Sequence, residues 1–382
     1  MAALTEEQNL LKEQAKTWAG EEAPVAKFRE MRDRKTEAGF DKATWAGIGE
    51  LGWPGIVVPE AFGGVDMGHL TFGVVLEELG RQLTASPLLA SGLVGANALR
   101  LAGSEAQQSA WLPGIADATA IVTLAVDERP HHAPYGTALQ AEKTGAGYRL
   151  SGEKKHVLEG GSADAFVVVA RTGGKPGDAE GLSLFLVEAG QGGVSSQRLT
   201  LADSRGYANV NFDGVEVGAD ALLGSEGGAA PVLDQILDRA RAGLAAEMLG
   251  VAGQSFDMTL DYLKNRVQFG EVIGGFQALG HRAAECFTKL ELTRSCVEAA
   301  LQAIDEAGDS HSQELALLCS LSKAKAGDFL HHMSNEMIQL HGGIGVTDEF
   351  DAGLYLKRAR ATEATFGNAS FHRDRYATLL GY

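Results

Sequence analysis

Cysteine is scarce: Cys286, Cys296 and Cys319 are the only three in 382 residues. So few, and odd in number, they exclude a disulfide framework, and their spacing matches no metal site. Reduced thiols in a cytoplasmic protein are expected. Positive charge is short as well, with 33 Lys and Arg against 50 Asp and Glu and a net charge of −17. That balance argues against nucleic acid, because phosphate contacts need clustered cations. No apolar run is long enough to span a membrane, and the first residues turn polar too soon for a secretory leader. Neither a membrane span nor a leader is therefore expected. The remaining composition, 45% hydrophobic and 22% charged, is that of a globular chain, and its length suits two or three domains.

What is present is patterned in three parts. Thr5-Glu-Glu-Gln8 is a capping-box pattern ahead of Leu10, Leu11, Ala15 and Trp18, predicting a first helix. Further helices are predicted over 41–51, 69–82, 88–102 and 105–116, with a loop rich in glycine and proline at 52–64. Near Ala118 the pattern changes to short β-rich runs at 121–126, 148–150, 165–170, 182–187 and 208–212. Their spacing predicts an antiparallel barrel or sandwich rather than βαβ units. After Gly228, long amphipathic patterns over 231–265, 277–307, 312–341 and 349–380 predict an antiparallel four-helix bundle. The expected domains are an N-terminal all-α domain (1–117), a middle antiparallel β domain (118–227) and a C-terminal four-helix bundle (228–382).

Two blocks carry chemistry. Arg266-Val-Gln-Phe-Gly-Glu-Val-Ile-Gly-Gly-Phe-Gln277 offers a fixed cation, an aromatic ring and two amides at a glycine-broken helix end. Gln339-Leu-His-Gly-Gly-Ile-Gly345 offers an amide and a glycine pair where backbone N–H groups can reach a ligand. The planar fork of Arg266 suits a pyrophosphate, and Phe269 suits a purine face. Each block alone describes a surface ion pair or a helix C-terminus. Together they describe a dinucleotide site built without a Rossmann turn.

With these blocks, the chain resembles the acyl-CoA dehydrogenases, flavoproteins that remove two hydrogens from the α and β carbons of an acyl-CoA. The resemblance extends over nearly the whole length. It also rests on Gly52-Trp-Pro-Gly-Ile-Val-Val-Pro-Glu-Ala-Phe-Gly-Gly64, Gly152-Glu-Lys-Lys155, Phe212-Asp-Gly-Val-Glu-Val217 and Leu222-Leu-Gly-Ser-Glu-Gly227. It implies the same α–β–α order, with FAD held between the middle domain and the bundle. Carried over by position, Arg266 would contact the pyrophosphate, Gln268 the adenosine and Phe269 the adenine, with Gln277 close by. Gln339, Gly342 and Gly343 would approach from a neighbouring subunit. Asn368 and Ser370 would stand at the last cofactor turn, where both can hydrogen-bond. The implied partners are an acyl-CoA substrate, an acceptor like electron-transfer flavoprotein, and further subunits in a homo-oligomer or a hetero-oligomer with a related chain.

The base is displaced. The resemblance implies a carboxylate that removes the α-proton as the β-hydride moves to flavin N5. Its usual place near the C-terminus is Phe366 here, in Phe366-Gly-Asn-Ala-Ser370, and its less common place on the first bundle helix is Ala240. Neither side chain accepts a proton. Glu247 stands seven residues after Ala240, nearly two turns on and on a similar face. Its neighbours at three and four residues, Gly243, Leu244, Gly250 and Val251, are apolar or glycine. A lone carboxylate on such a stripe is unfavourable unless it is paired or used. An Arg across the bundle is one explanation, and a general base is the other. Ala245-Ala-Glu247 resembles a branch from steroid-degrading bacteria, often assembled from two kinds of subunit, with Glu in that context. A base further along the helix suits a bulkier, alicyclic or steroid-derived acyl group.

Two segments depart from the family. The flavin-covering stretch reads Val126-Asp-Glu-Arg-Pro-His-His-Ala-Pro-Tyr135, and the usual Trp-Ile-Thr reads His156-Val-Leu158. Leu158 offers no hydroxyl near flavin N5. His131-His132 lies in the first of these, where contact with flavin or substrate stays open and a solvated loop is expected. His331, His332 and His341 lack metal spacing and an arranged carboxylate partner, so no metal is expected. Two alternatives to the dehydrogenase stay open: a non-catalytic subunit of a heteromeric dehydrogenase, and a flavin oxidase or monooxygenase of the same fold.

Overall fold

The computed structural model describes residues 4–382. Its N-terminal helices are α1 (Glu6–Glu22), α2 (Val25–Asp33), α3 (Lys42–Glu50), α4 (Gly68–Arg81), α5 (Ala96–Ala102) and α6 (Glu105–Ala116). The expected capping box opens α1. Thr5 Oγ1 accepts from Gln8 N at 3.2 Å, and Gln8 Oε1 accepts from Thr5 N at 3.0 Å. Ser104 and Gln107 repeat the device at α6. Residues Leu88–Gly95, expected as ordinary helix, are instead a π-helical stretch in which all eight residues are buried.

The middle strands are β1 (Val122–Ala125), β2 (Gln140–Lys143), β3 (Gly147–Leu158), β4 (Ala165–Arg171), β5 (Leu182–Glu188), β6 (Val194–Arg198), β7 (Tyr207–Gly218) and β8 (Leu222–Leu223). They form one sheet in the order β6-β7-β3-β2-β4-β5-β8, with β1 beside β4. The pairings are antiparallel, as expected, except that β1 and β2 both run parallel to β4. The connection from β1 to β4 contains β2 and β3, so it is long enough to return the chain in the same direction. Every residue of β4 is buried, as expected of a strand covered on both faces. The sheet's core includes Tyr148 edge-on to Phe185 at 4.9 Å and Phe166 edge-on to Phe212 at 6.2 Å.

The C-terminal part holds α7 (Ala230–Asn265), a small hairpin of β9 (Val267–Gln268) and β10 (Glu271–Val272), α8 (Gln277–Ala307), α9 (Gln313–His341), α10 (Ala352–Ala364) and α11 (Ala369–Leu379). The last helical pattern, expected as one helix over 349–380, is two. Phe366 and Gly367 adopt φ of 56° and 102°, a left-handed pair that no α-helix can contain.

The chain divides into two compact units. One comprises the segment ending at Phe28, Gly73–Thr84 and Arg241–Tyr382; the other comprises Arg29–Phe72 and Ala85–Ala240. In the first unit, α4 crosses α7 with backbones nearly touching. A Cβ on Gly80 would overlap the Glu247 carbonyl oxygen, and one on Gly250 would overlap that of Glu77. Gly250→Ala must therefore push the helices apart. It is expected to destabilise this unit by about 1–3 kcal/mol, read as a lower urea midpoint. An unchanged midpoint would show that the crossing tolerates the methyl group.

Candidate functional site

Helix α7 stops at Asn265 and the chain turns back through β9 and β10, pairing Gln268 with Glu271 and Val267 with Val272. Phe269 (φ 56°) and Gly270 (φ 88°) form the two-residue turn, the left-handed pair that suits a tight hairpin. Left-handed backbone costs a non-glycine residue about 1–2 kcal/mol. The result is a phenylalanine ring 90% exposed. The hairpin is anchored: Arg266 N donates to Tyr262 O and Ile273 N to Arg266 O, each at 2.9 Å.

The two blocks meet in a single chain. Leu263, Ile273 and Leu340 form a small core, packed by Tyr262, Phe276, Leu279 and Ala283. Leu340 belongs to α9, so the end of α9 lies against the Arg266 hairpin. Helix α9 ends at Gly342, φ 64°, and side chains added at Gly342 or Gly343 would meet nothing within 4 Å. Arg266, Gln268, Phe269, Gln277, Gln339, Gly342 and Gly343 are all exposed. Asn368 and Ser370 are exposed too, at the start of α11. The Asn368 Oδ1 caps that helix by accepting from Phe371 N at 2.9 Å. A guanidinium, an open aromatic face, several amides and uncovered glycine backbone fit a dinucleotide pyrophosphate and its adenine. FAD therefore suits this donor set.

Glu247 is buried, 6% exposed. Arg358, on α10, reaches its Oε1 through both Nε (2.8 Å) and Nη2 (2.7 Å). An arginine across the bundle does pair with it, and spacing along the sequence does not show a partner 111 residues away. Among the further buried carboxylates that escaped the sequence reading, two are adjacent on α4. Glu77 pairs with Arg294 at 2.6 Å. Glu78, with Lys12 and Arg81 at 3.8 Å, has its pKa raised by burial first and by the Glu77 charge second. Their position in α4 between apolar residues was the available signal.

The turn bearing Phe366, itself buried, is held by three side chains on three helices. Lys323 Nζ, on α9, donates to the carbonyls of Thr362 (3.0 Å), Glu363 (3.3 Å) and Gly367 (3.0 Å). Arg241 Nε donates to Phe366 O at 3.4 Å, and His372 Nε2 lies 3.1 Å from the same oxygen. These donors satisfy carbonyls that the end of α10 leaves without helical partners. Burial, with the charge of Arg241 adding to it, pushes the Lys323 pKa down to about 7, while Glu363 opposes the shift.

In the other unit, the loop after β1 is knitted rather than solvated. The His132 side chain is 1% exposed, which corrects the expectation for that histidine; His131 is exposed. His132 Nδ1 lies 2.8 Å from Asp127, whose pKa is lowered: burial, the largest influence, would raise it, but the His132 charge and bond and the Ala133 N–H outweigh it. Glu128 accepts from Ala138 N, Leu139 N and the buried Lys154 Nζ (2.7 Å). His156 has φ 53° at an irregularity in the β3–β7 pairing, and the Leu158 carbonyl accepts from Thr123 Oγ1 at 2.8 Å. His331 has a carboxylate neighbour after all, Glu363 at 3.2 Å, which sits on α10. Cys286, Cys296 and Cys319 are free thiols, and burial pushes the Cys286 thiol up to about 11. Among the described residues no His, Cys, Asp and Glu group is arranged to hold a metal, and no helix is long and apolar enough to cross a membrane.

A helical domain, a β domain and a helical domain carrying this glycine–arginine end define a class, and comparison names it. Residues 5–119, 116–215 and 227–380 match, in order, the N-terminal, middle and C-terminal domains of acyl-CoA dehydrogenase. The chain is 30% identical over 381 residues to an acryloyl-CoA reductase (NADH) of Anaerotignum propionicum, covering 97% of this chain and 93% of that one. It is 32% identical over 341 residues to the acyl-CoA dehydrogenase FadE27 of Mycobacterium tuberculosis, covering 88% and 87%. Among solved structures, a variant of the Tcur3481-Tcur3483 steroid ACAD superposes with a TM-score of 0.86 at 30% identity, covering 98% of each chain. This chain belongs to the acyl-CoA dehydrogenase family and is an oxidoreductase acting on acyl-CoA.

Proposed function

We propose that the chain catalyses FAD-dependent α,β-dehydrogenation of a bulky, alicyclic or steroid-derived acyl-CoA, with Glu247 as the base. The observation that carries the cofactor half is the meeting of the Arg266 hairpin with Gly342–Gly343 at one end of the bundle. FAD, when bound, supplies the hydride acceptor. Arg266 would hold the pyrophosphate, Phe269 would face the adenine, and Gln268, Gln277 and Gln339 would donate from their amides, with Asn368 and Ser370 at the last turn. Because both blocks lie on one chain, a subunit that offers Gln339 and Gly343 to a neighbour's cofactor offers Arg266 with them. Arg358 holds the Glu247 carboxylate in one position, as a base that must meet an α-proton requires. Its remove from Ala240, about 10 Å along the helix axis, supports a wide acyl pocket, as does likeness to a steroid enzyme.

The division at residues 117 and 227 belongs to this reading, supported by family matches that end at 119 and begin at 227. So do a cytoplasmic location, an acceptor like electron-transfer flavoprotein, and assembly with a second copy or a related subunit. The exposed Phe269, Val346, Phe287 and Leu292 supply apolar surface for such assembly. The test is a flavin spectrum of the purified protein, alone and with a related subunit, followed by anaerobic titration with acyl-CoAs of different bulk. Absence of flavin uptake under both conditions overturns the proposal. Arg266→Ala is expected to weaken FAD binding at least tenfold by fluorescence titration, since a charge-assisted fork contributes about 1.5–3 kcal/mol.

A second reading rests on the Glu247–Arg358 pair itself. A buried carboxylate fully engaged by an arginine serves equally as structure, and the chain would then be the non-catalytic member of a heteromeric dehydrogenase. That member would bind FAD through the same hairpin yet show no flavin reduction until its partner subunit is added.

A further inference from the structure

His341 lies under the exposed glycine pair and takes no part in the chemistry above. It is 3% exposed and stands between two rings: Tyr262 at 4.3 Å with planes 32° apart, and Phe350 at 4.5 Å with planes 37° apart. Tyr262 comes from the end of α7, His341 from the end of α9, and Phe350 from the segment leading to α10. Its Nδ1 lies 2.7 Å from the Met337 carbonyl. A carbonyl only accepts, so Nδ1 carries the proton and Nε2 carries a lone pair. Nε2 is buried without a hydrogen-bond partner among the described residues.

The stack continues into the backbone of both blocks. Tyr262 Oη donates to His341 O at 3.4 Å, Arg266 N donates to Tyr262 O, and Ile273 N donates to Arg266 O. Gly342, the first uncovered glycine, is bonded directly to His341. One imidazole therefore joins the segment that presents Arg266 to the segment that presents Gly342 and Gly343.

We infer that His341 is a positioning residue for the dinucleotide site, its neutral ring holding the arginine hairpin and the glycine pair at the spacing one pyrophosphate requires. The inference rests on the FAD reading above. A neutral ring packs between two aromatic faces with its lone pair buried. A protonated ring would carry a second N–H into the same place with nothing to accept it, and its charge would be desolvated. Burial accordingly lowers the His341 pKa, with the Met337 bond opposing. Tyr262 is the titratable group packed on the ring, and no charged side chain contributes to the shift. The sign follows from the depressed folded value. The stack is intact above the ordinary histidine pKa of about 6.5 and is lost as pH falls through the lower folded value.

The test follows release of FAD from the holoprotein after dilution, by recovery of flavin fluorescence, at pH 7.5 and 5.0. FAD itself has no group that titrates between these values. The wild-type protein is expected to release FAD roughly tenfold faster at the lower pH, which corresponds to about 1.4 kcal/mol. His341→Phe keeps three stacked rings without a proton site and should lose most of the acceleration, each protein being compared with itself at the two pH values. Equal acceleration in both proteins overturns the inference while leaving the FAD site standing. A protein that holds no FAD at either pH overturns the FAD reading instead. If His341→Phe does not fold, Phe350→Leu removes one face of the stack and should speed FAD release at pH 7.5; release at the wild-type rate overturns the inference.

Discussion

Glu247→Gln is expected to keep the fold and the flavin but to slow flavin reduction by acyl-CoA about a hundred- to ten-thousand-fold, the usual range for removal of a general base. That corresponds to roughly 3–5 kcal/mol of barrier. Glutamine has nearly the same shape and can still accept from Arg358, so the buried guanidinium keeps a partner; Glu247→Ala would remove it and confound chemistry with stability. Anaerobic stopped-flow absorbance of the flavin, on a substrate the parent reduces, reads the result. Reduction at the parental rate would end the role of Glu247. Silence in both proteins with every acyl-CoA, lifted when a related subunit is added, would favour the non-catalytic member. Faster reduction by a straight-chain than by a ring-bearing substrate would refute acyl bulk alone.

Lys323→Met is expected to cost about 4 kcal/mol. The ammonium is the donor to three buried or half-buried carbonyls of the Thr362–Gly367 turn, and each acceptor left dry costs about 1–3 kcal/mol, less where the unit relaxes. Methionine preserves most of the side-chain volume, so the loss isolates hydrogen bonding from packing. At about 2–4 °C per kcal/mol for a unit of this size, the thermal midpoint should fall by roughly 10 °C. Circular dichroism melting checks it, with the bundle helices as the signal. An unchanged midpoint would show that Arg241 and His372 hold the turn without the lysine.

Much of this protein is local, and local physics was legible. The capping box at Thr5 and Gln8 depends on four consecutive residues, and it is present. The 3.6-residue patterns of α7, α8 and α9 located those helices to within a residue or two, because amphipathic periodicity is a property of a single segment. The β-rich runs located five strands. The strands β2 and β6, largely exposed and polar, did not read as β, since their pairing with β3 and β7 decides them. The split of the last helix at Phe366 was not legible either. Its left-handed turn is imposed by Lys323, Arg241 and His372 from three other helices.

The candidate site divides the same way. By itself the sequence determined which residue types were available: a cation, a ring and amides around Arg266, a glycine pair after His341, and a carboxylate on the apolar stripe of α7. Those are chemical identities, and identity needs no coordinates. Only the tertiary structure decided who meets whom. It placed both blocks at one end of a single chain, set Arg358 on Glu247 across 111 residues, buried His132 on Asp127 and closed Tyr262 and Phe350 around His341. The physical reason is range. Periodicity and capping act within one or two turns of chain, whereas ion pairs and ring stacks form between segments whose approach is set by the packing of the whole unit.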